Sequence, residues 1–503
     1  MDNRSGRAAE LFKFGASMIA EKNFSEAETA FREMIALNPV SSSAYNGLGY
    51  IQLFHANNPV EAKKSFAKAI ALNPDNYEAY HNLAILFTRQ NELPAAITNF
   101  KKAIAIKPEF DSAYIGLAET YANNNNLNLA KRHLIRLIDL KPDYFQAHHN
   151  LALLYIESKN YRAAKKHLLR AIALRPELPE SHFSLGTLLL SKGGFKPGWA
   201  EFEWRTKLYR PEEKFCLSHP APFWKGELIK DETILVSAEQ GYGDVIQFAR
   251  YIPLVRQKAA RLVFQCDRNL IRLFQDFAGI DRIVDWDKGQ ECASEKIDRQ
   301  ISLLSLPRLF STTPKNIPAD IPYLFPDPAL AAKWRSALAE IKGFRVGFVW
   351  TGKPTSANNP TRSMSLDLFS PLFQLKGCSF LSLQKGKAAD ELRPYLPKDN
   401  LIDLDQRITD FADTAALIAN LDLVISVDTS VAHLAGAMGK LVWILLQHVP
   451  DWRWRLESKR SPWYPTARLF RQSKRGDWPG VVNRVKNELG LLLKKKGGTH
   501  ARK

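Results

Sequence analysis

"EAKKSFAKAIALNP", residues 61–74, is the stretch on which the fold of the N-terminal third turns. Its apolar residues recur at i, i+3, i+4 and i+7, the spacing of one helix face rather than the alternation of a strand. Four other stretches carry the same pattern: EAETAFREMIALNP (26–39), AAITNFKKAIAIKP (95–108), LAKRHLIRLIDLKP (129–142) and AAKKHLLRAIALRP (163–176). Each ends on a proline, at 39, 74, 108, 142 and 176, so the period is 34 or 35 residues. A second helical pattern follows the first four prolines: AYNGLGYI (44–51), AYHNLAILF (79–87), AYIGLAETY (113–121) and AHHNLALLY (147–155). Proline stops one helix before the next begins. The repeating unit is therefore a pair of amphipathic helices.

A 34-residue helix–turn–helix with small residues at fixed places (Ala44, Ala79, Ala113, Ala147) resembles the tetratricopeptide repeat. The resemblance implies an all-α solenoid over residues 1–190, with five clear repeats and a sixth beginning near Pro179. Solenoids of this kind present a concave surface to peptides or partner proteins. Asn82 and Asn150 occupy one repeat position. They either read a partner's backbone amides or tie neighbouring turns together.

At 503 residues the chain is expected to form two or three domains. A hydrophobic content of 45% and a charged content of 24% are those of a soluble globular protein. No apolar run reaches the roughly 18 residues of a membrane span. MDNRSGRAAELFKFG has no apolar h-region, so a secretory signal is not expected. Four cysteines without CxxC spacing predict neither a disulfide framework nor a zinc site, and a cytoplasmic location fits them. The net charge of +18 is uneven: residues 1–190 hold 22 Lys/Arg against 18 Asp/Glu, residues 452–503 hold 15 against 3. The basic end suits nucleic acid, anionic lipid or a phosphorylated ligand, or is a solvated tail ending in KKKGGTHARK.

Periodicity changes after residue 190. SKGGFKPGWAEFEWRTKLYRPEEKF (191–215) starts like a closing repeat helix and turns aromatic, which predicts a capping repeat and linker over 191–232. Short apolar runs then alternate with helical patterns. TILVSA (233–238) and RLVFQC (261–266) form one series; FRVGFVW (344–350), CSFLSLQ (378–384), LIDL (401–404), DLVISV (422–427) and LVWILL (441–446) form another. Such alternation predicts doubly wound α/β sheets. The proline-rich stretch 306–328 reads as a connector between an N-terminal lobe (233–325) and a C-terminal lobe (326–490), with a basic tail at 491–503.

Each lobe opens with a strand and a loop suited to a ligand. In SAEQGYGDVIQFARY (237–251), Gly241 and Gly243 permit a tight turn, and Asp244 starts a helix, as an N-cap or as a functional carboxylate. Ile246 stands where a dinucleotide fingerprint needs its third glycine. WTGKPTSANNPTRS (350–363) places Lys353 and Arg362 in a polar loop after a strand. SVDTSVAHLAGAMGK (426–440) sets Asp428, Thr429 and Ser430 at a helix start, with His433 one turn inside. Free N–H groups and the helix dipole favour an anion there. Ligands of open α/β sheets sit at the C-terminal ends of strands.

The α/β part, roughly 233–485, resembles glycosyltransferases of the ADP-heptose:lipopolysaccharide heptosyltransferase family, which have the GT-B fold. EQGYGDVIQFARYIPLV (239–255) is similar to that family's first-loop Gly-Asp motif, and VDTSVAHLAGAMGKLVWILL (427–446) to its donor-site motif. With GWAEFEWR, SLQKG, PDWRWRLE and SPWYPTARLFRQ in this order, the whole resembles bacterial repeat-containing glycosyltransferases. The surroundings of Lys353 depart from the heptosyltransferases.

The resemblance implies a fold of a tetratricopeptide solenoid followed by a GT-B-like pair of α/β lobes. It implies a sugar moved from a nucleotide-diphosphate donor to an acceptor hydroxyl, inverting and without metal or other cofactor. Asp244 would be the base; Thr429, Ser430 and Val431, with Arg362, would hold the diphosphate. Asp428 would lie near the donor, or cap the helix. Gln384 and Lys385 of SLQKG would meet the nucleoside. Asp451 and Arg453 are further cleft candidates, while the nearby tryptophans (Trp443, Trp452, Trp454, Trp463) either stack on a ligand or pack the lobes. The expected acceptor is a protein, or is held by a protein docked on the solenoid. The alternatives are an inactive scaffold, a lipid-linked acceptor met at the inner membrane surface and, with least weight, nucleic acid bound by the basic end.

Overall fold

The computed structural model describes residues 3–208, 219–287, 295–318, 320–352, 359–396 and 398–500. It forms two compact units, Met1–Ser181 and His182–Lys503. Lys353 lies outside the described residues.

The first unit is a run of paired helices, from Asn3–Ala20 and Phe24–Leu37 to Phe145–Glu157 and Tyr161–Leu174. The turn within each pair repeats a left-handed residue: Lys22, Asn57, Asn91, Asn125 and Lys159, with φ of 62°, 48°, 61°, 56° and 58°. Three of the five are asparagine, which tolerates that conformation better than most residues. Ala44, Ala79, Ala113 and Ala147 have no exposed surface, and helices meet over them. At four glycines of this unit, Gly15, Gly47, Gly49 and Gly116, an aromatic ring takes the space of a side chain. A Cβ on Gly47 would stand 2.6 Å from the Phe31 ring, and one on Gly116 would stand 2.5 Å from Phe100.

His81 is packed edge-on to Phe100 and Phe110, and its buried Nδ1 has no hydrogen-bond partner. Burial pushes its pKa down from 6.5 to about 4. As pH falls, the unfolded chain takes up this proton first. The stability that a neutral His81 contributes is full above about pH 6.5 and is lost on descent toward pH 4. The repeat unit should lose on the order of 2 kcal/mol through this residue between about pH 7 and pH 4. The thermal midpoint across that range measures it, and His81→Leu should flatten the dependence.

The second unit holds two parallel sheets. The first is built from β1 (Ile229–Ser237), β2 (Ala259–Cys266), β3 (Arg282–Asp285) and β4 (Arg299–Ser302), in the order β3-β2-β1-β4. The second has β5 (Phe344–Val349), β6 (Cys378–Ser382), β7 (Leu401–Asp403), β8 (Leu423–Val427), β9 (Val442–Leu446) and β10 (Ala467–Arg471), in the order β10-β9-β8-β5-β6-β7. All strand pairs in both sheets are parallel. β6, β8 and β9 are buried at every residue, which is why they read as continuous apolar runs. Side chains alternate between faces: Val346, Phe348, Ile425 and Val427 face one core, while Val349, Val424 and Ile444 face the other. In each lobe the chain starts mid-sheet, winds outward, then returns to the far side of its first strand. The reversals fall between β1 and β4 and between β5 and β8. There the splayed connections open a crevice at the strand tips.

Two boundaries differ from the sequence reading. The units divide at 181/182, and the segment expected as cap and linker is partly core of the second unit. Leu190, Phe195, Trp199 and Phe202 share one buried cluster with strand residues of both sheets. The Trp199 indole N–H donates to the Thr312 carbonyl at 3.0 Å. An aromatic face on a helix shows that something covers it, not what does. At the other end, helix Trp478–His500 runs through the expected start of the tail at 491. Its stripe of Val481, Val482, Val485 and Leu489 continues into Leu492 and Leu493, which are partly buried on the same cluster. No helix among the described residues is long and apolar enough to cross a membrane.

Candidate active site

Five loops meet at the C-terminal tips of β1, β5, β6, β8 and β9. The β1 loop leads into helix Tyr242–Phe248, whose first turn is closed by Asp244: the Gly241 N–H donates to Asp244 Oδ2 at 3.0 Å. The β8 loop leads into helix Ser430–Ala437. These two helices, one from each lobe, touch. A Cβ on Gly243 would stand 2.8 Å from His433 Cδ2, so glycine at 243 is what allows the contact. The approach brings the carboxylate of one lobe to the helix start of the other.

Thr429 caps the second helix in an extended conformation, but its side chain makes no capping bond. Its hydroxyl instead lies 2.8 Å from Ser426 Oγ. The first-turn N–H groups at Ser430 and Val431 have no intrahelical partner by the geometry of a helix start. Asp428 lies 3.8 Å from His433 Nε2, and His433 Nδ1 is 3.0 Å from the Tyr464 hydroxyl. Burial acts to raise the Asp428 carboxyl. The hydrogen bond and charge of His433, then Trp454 and the Arg362 guanidinium, outweigh burial and hold it below the usual range. His433 is thus both structural, through Tyr464, and electrostatic, through Asp428. Arg362 is half-buried and its charge reaches Asp428.

The β9 loop supplies a cation that joins the lobes. Arg453, 7% exposed, donates from Nη2 to Asp244 Oδ1 and from Nη1 to Asp451 Oδ1 at 2.8 Å. Its guanidinium stacks over the Trp452 ring at 4.4 Å. Asp451 is pushed above its ordinary pKa by burial, against the pull of Arg453 and with the charge of Asp428 adding to the rise. Among the described residues, no three His, Cys, Asp or Glu side chains gather in a way that could hold a metal.

The β6 residues are used differently. The Gln384 side-chain oxygen accepts from the Thr351 N–H at 3.2 Å, steadying the loop after β5. Lys385 pairs with Asp405 at 3.1 Å. Asn82, 9% exposed, donates to Asn46 Oδ1 at 2.9 Å, which is a tie between neighbouring repeats, while Asn150 is half-buried. Of the tryptophans, Trp452 packs at 5.2 Å from Trp199 and 6.1 Å from Trp463, and Trp443 packs on Phe470 at 5.3 Å. All four are buried in the cores.

Two arginines that the sequence did not single out support the site. Arg250, 4% exposed, donates from Nη1 to the Trp463 carbonyl at 3.1 Å and from Nη2 to the Tyr323 hydroxyl at 3.1 Å. It fastens the Asp244 helix to the second lobe and to the proline-rich connector. Arg205, 1% exposed, donates from Nη2 to Glu239 Oε1 at 2.6 Å, Ser305 Oγ at 2.9 Å and Ser302 Oγ at 3.2 Å. It fills the crevice between the tips of β1 and β4. The one hint in the sequence is the aromatic setting, since a charge seldom stands among tryptophans unless it is paired.

Comparison with known proteins agrees with this architecture. Tetratricopeptide repeat models match residues 65–98, 85–125, 111–144 and 145–178. Residues 408–473 match glycosyltransferase family 9 (heptosyltransferase). That segment includes Asp428, Thr429, His433, Asp451 and Arg453, and leaves Asp244 outside it. Protein FlbA of Caulobacter vibrioides is 26% identical over 332 residues, 60% of this chain and 53% of FlbA. The match thus spans about half the length of that curated relative. Among solved structures, PilF of Pseudomonas aeruginosa is similar at a TM-score of 0.38 and 16% identity, over 42% of this chain and 96% of its own. A thermophilic tetratricopeptide repeat protein of Thermus thermophilus is similar at a TM-score of 0.32 and 20% identity, over 36% of this chain and 99% of its own. The chain joins N-terminal tetratricopeptide repeats to a C-terminal α/β part in which residues 408–473 match glycosyltransferase family 9 (heptosyltransferase).

Proposed function

We propose that the chain transfers a sugar from a nucleotide-diphosphate donor to an acceptor hydroxyl, with inversion and without a divalent cation. One observation carries the reading: the Asp244 carboxylate of the first lobe is held by Arg453 of the second, whose charge also reaches Asp428, beside the helix start at Thr429. In the step, the acceptor oxygen bonds to the anomeric carbon as the bond from that carbon to the phosphate oxygen breaks. The acceptor proton passes to Asp244, and the bonding pair leaves with the diphosphate. A single displacement of this kind inverts the anomeric centre. Negative charge grows on the diphosphate, where helix N–H groups and Arg362 stabilise it. Arginine charge at the strand tips does what a cation would otherwise do.

The acceptor we infer is a protein, or is held by a protein docked on the repeats, because a solenoid of this length offers an extended surface that a small acceptor does not need. The test uses a panel of sugar nucleotides with and without EDTA, on the full chain and on a form lacking residues 1–178. Donor binding should persist in both forms and with EDTA, while transfer to the native acceptor should be lost on deletion. Failure of every donor to bind would sink the proposal. Equal transfer by the shortened form would remove the repeats from acceptor recognition and favour a lipid-linked acceptor.

A further inference from the structure

Arg453 stands among more negative charge than it can neutralise. Its Nη groups are taken by Asp244 and Asp451, its charge also interacts with Asp428, and its buried Nε has no hydrogen-bond partner. The described residues at this point thus bring three carboxylates to Arg453, Arg362 and His433. A diphosphate seated at Thr429–Val431 adds at least two more negative charges. It can settle there only if a guanidinium turns toward it. Arginine suits both anions, since its planar fork matches a carboxylate and a phosphate equally well.

Resting on the donor reading above, we propose that Arg453 is a shared counterion that Asp244 gives up to the diphosphate when a donor binds. Asp244 and the diphosphate then compete for one guanidinium across the lobe boundary. The exchange would couple the two halves of the reaction. Arg453 neutralises Asp244 until a donor is held; after the exchange the freed carboxylate accepts the acceptor's proton while Arg453 steadies the leaving group. Donor would therefore bind before acceptor. Trp452 and Phe248, which flank the guanidinium at 4.4 and 5.9 Å, keep it in place between its two partners.

The test is affinity for pyrophosphate and for ADP, UDP, GDP and TDP, measured by calorimetry on the full chain. Asp244→Asn keeps shape and an oxygen for the Gly241 N–H but removes the competing charge. It should bind its preferred nucleoside diphosphate about tenfold more tightly than wild type, the worth of one charge-assisted hydrogen bond. Adding Arg453→Lys should abolish that gain, and Arg453→Lys alone should weaken binding. Thermal midpoints of each variant separate loss of fold from loss of contact. Equal affinity of Asp244→Asn and wild type overturns the exchange and leaves the donor reading intact. If neither form binds any of the five probes, both readings fall.

Discussion

Asp244→Asn is expected to slow transfer by a factor of about 10² to 10⁴, the usual contribution of a general base. An amide cannot accept the acceptor's proton, yet it fills the same volume and still offers an oxygen to the Gly241 N–H. The helix start should survive, and the thermal midpoint should move little. The loss should appear in kcat, because the donor contacts proposed above lie mainly on the other lobe. A rate near wild type would mean that the proton leaves by another route, and Asp244 would then be only a partner of Arg453. A collapse of the fold would show in the midpoint before any rate was compared.

Arg205→Ala should cost about 3–5 kcal/mol, the penalty of leaving a buried carboxylate without its partner. The carboxylate is Glu239, 3% exposed, which lies just beyond the end of β1. Domains of this kind are stable by about 5–15 kcal/mol, so much of the margin would go. Urea denaturation of the full chain measures it. Glu239→Gln in the same chain should recover part of the loss, because the amide no longer carries an unpaired charge. Glu239 opens the loop that ends in Asp244, so donor binding should outlast transfer in the single variant. An Arg205→Ala protein as stable as wild type would mean that Glu239 finds another partner or takes up a proton.

The repeats were legible because one period of 34 or 35 residues places alanine, phenylalanine and proline by local rules alone. The two lobes were legible because β6, β8 and β9 are wholly buried strands, and such strands carry few polar residues to break their pattern. The helix starts at Asp244 and at 428–433 were legible because glycine and helix-start chemistry are local. What stayed hidden depends on distance along the chain. Arg453 meets Asp244 across 209 residues, and no window of sequence contains both. Arg205 lies in the aromatic segment read as cap and linker, and its partners Glu239 and Ser302 stand 34 and 97 residues away. Helix Trp478–His500 overran its expected end because lysines hid two more leucines of its apolar stripe.

The strand order β3-β2-β1-β4 of the first lobe recurs in the second as β7-β6-β5-β8, with β9 and β10 added beyond. One winding plan is used twice, and each lobe has the same notch where its winding reverses. In one lobe Arg205 plugs the notch from the chain's own preceding helices. In the other, the notch is edged by Arg362 and Thr429, the residues proposed above to meet the diphosphate. Two equivalent notches thus serve different ends: one is a mortise that locks the molecule together, and the other, on the function proposed above, is a mooring for substrate.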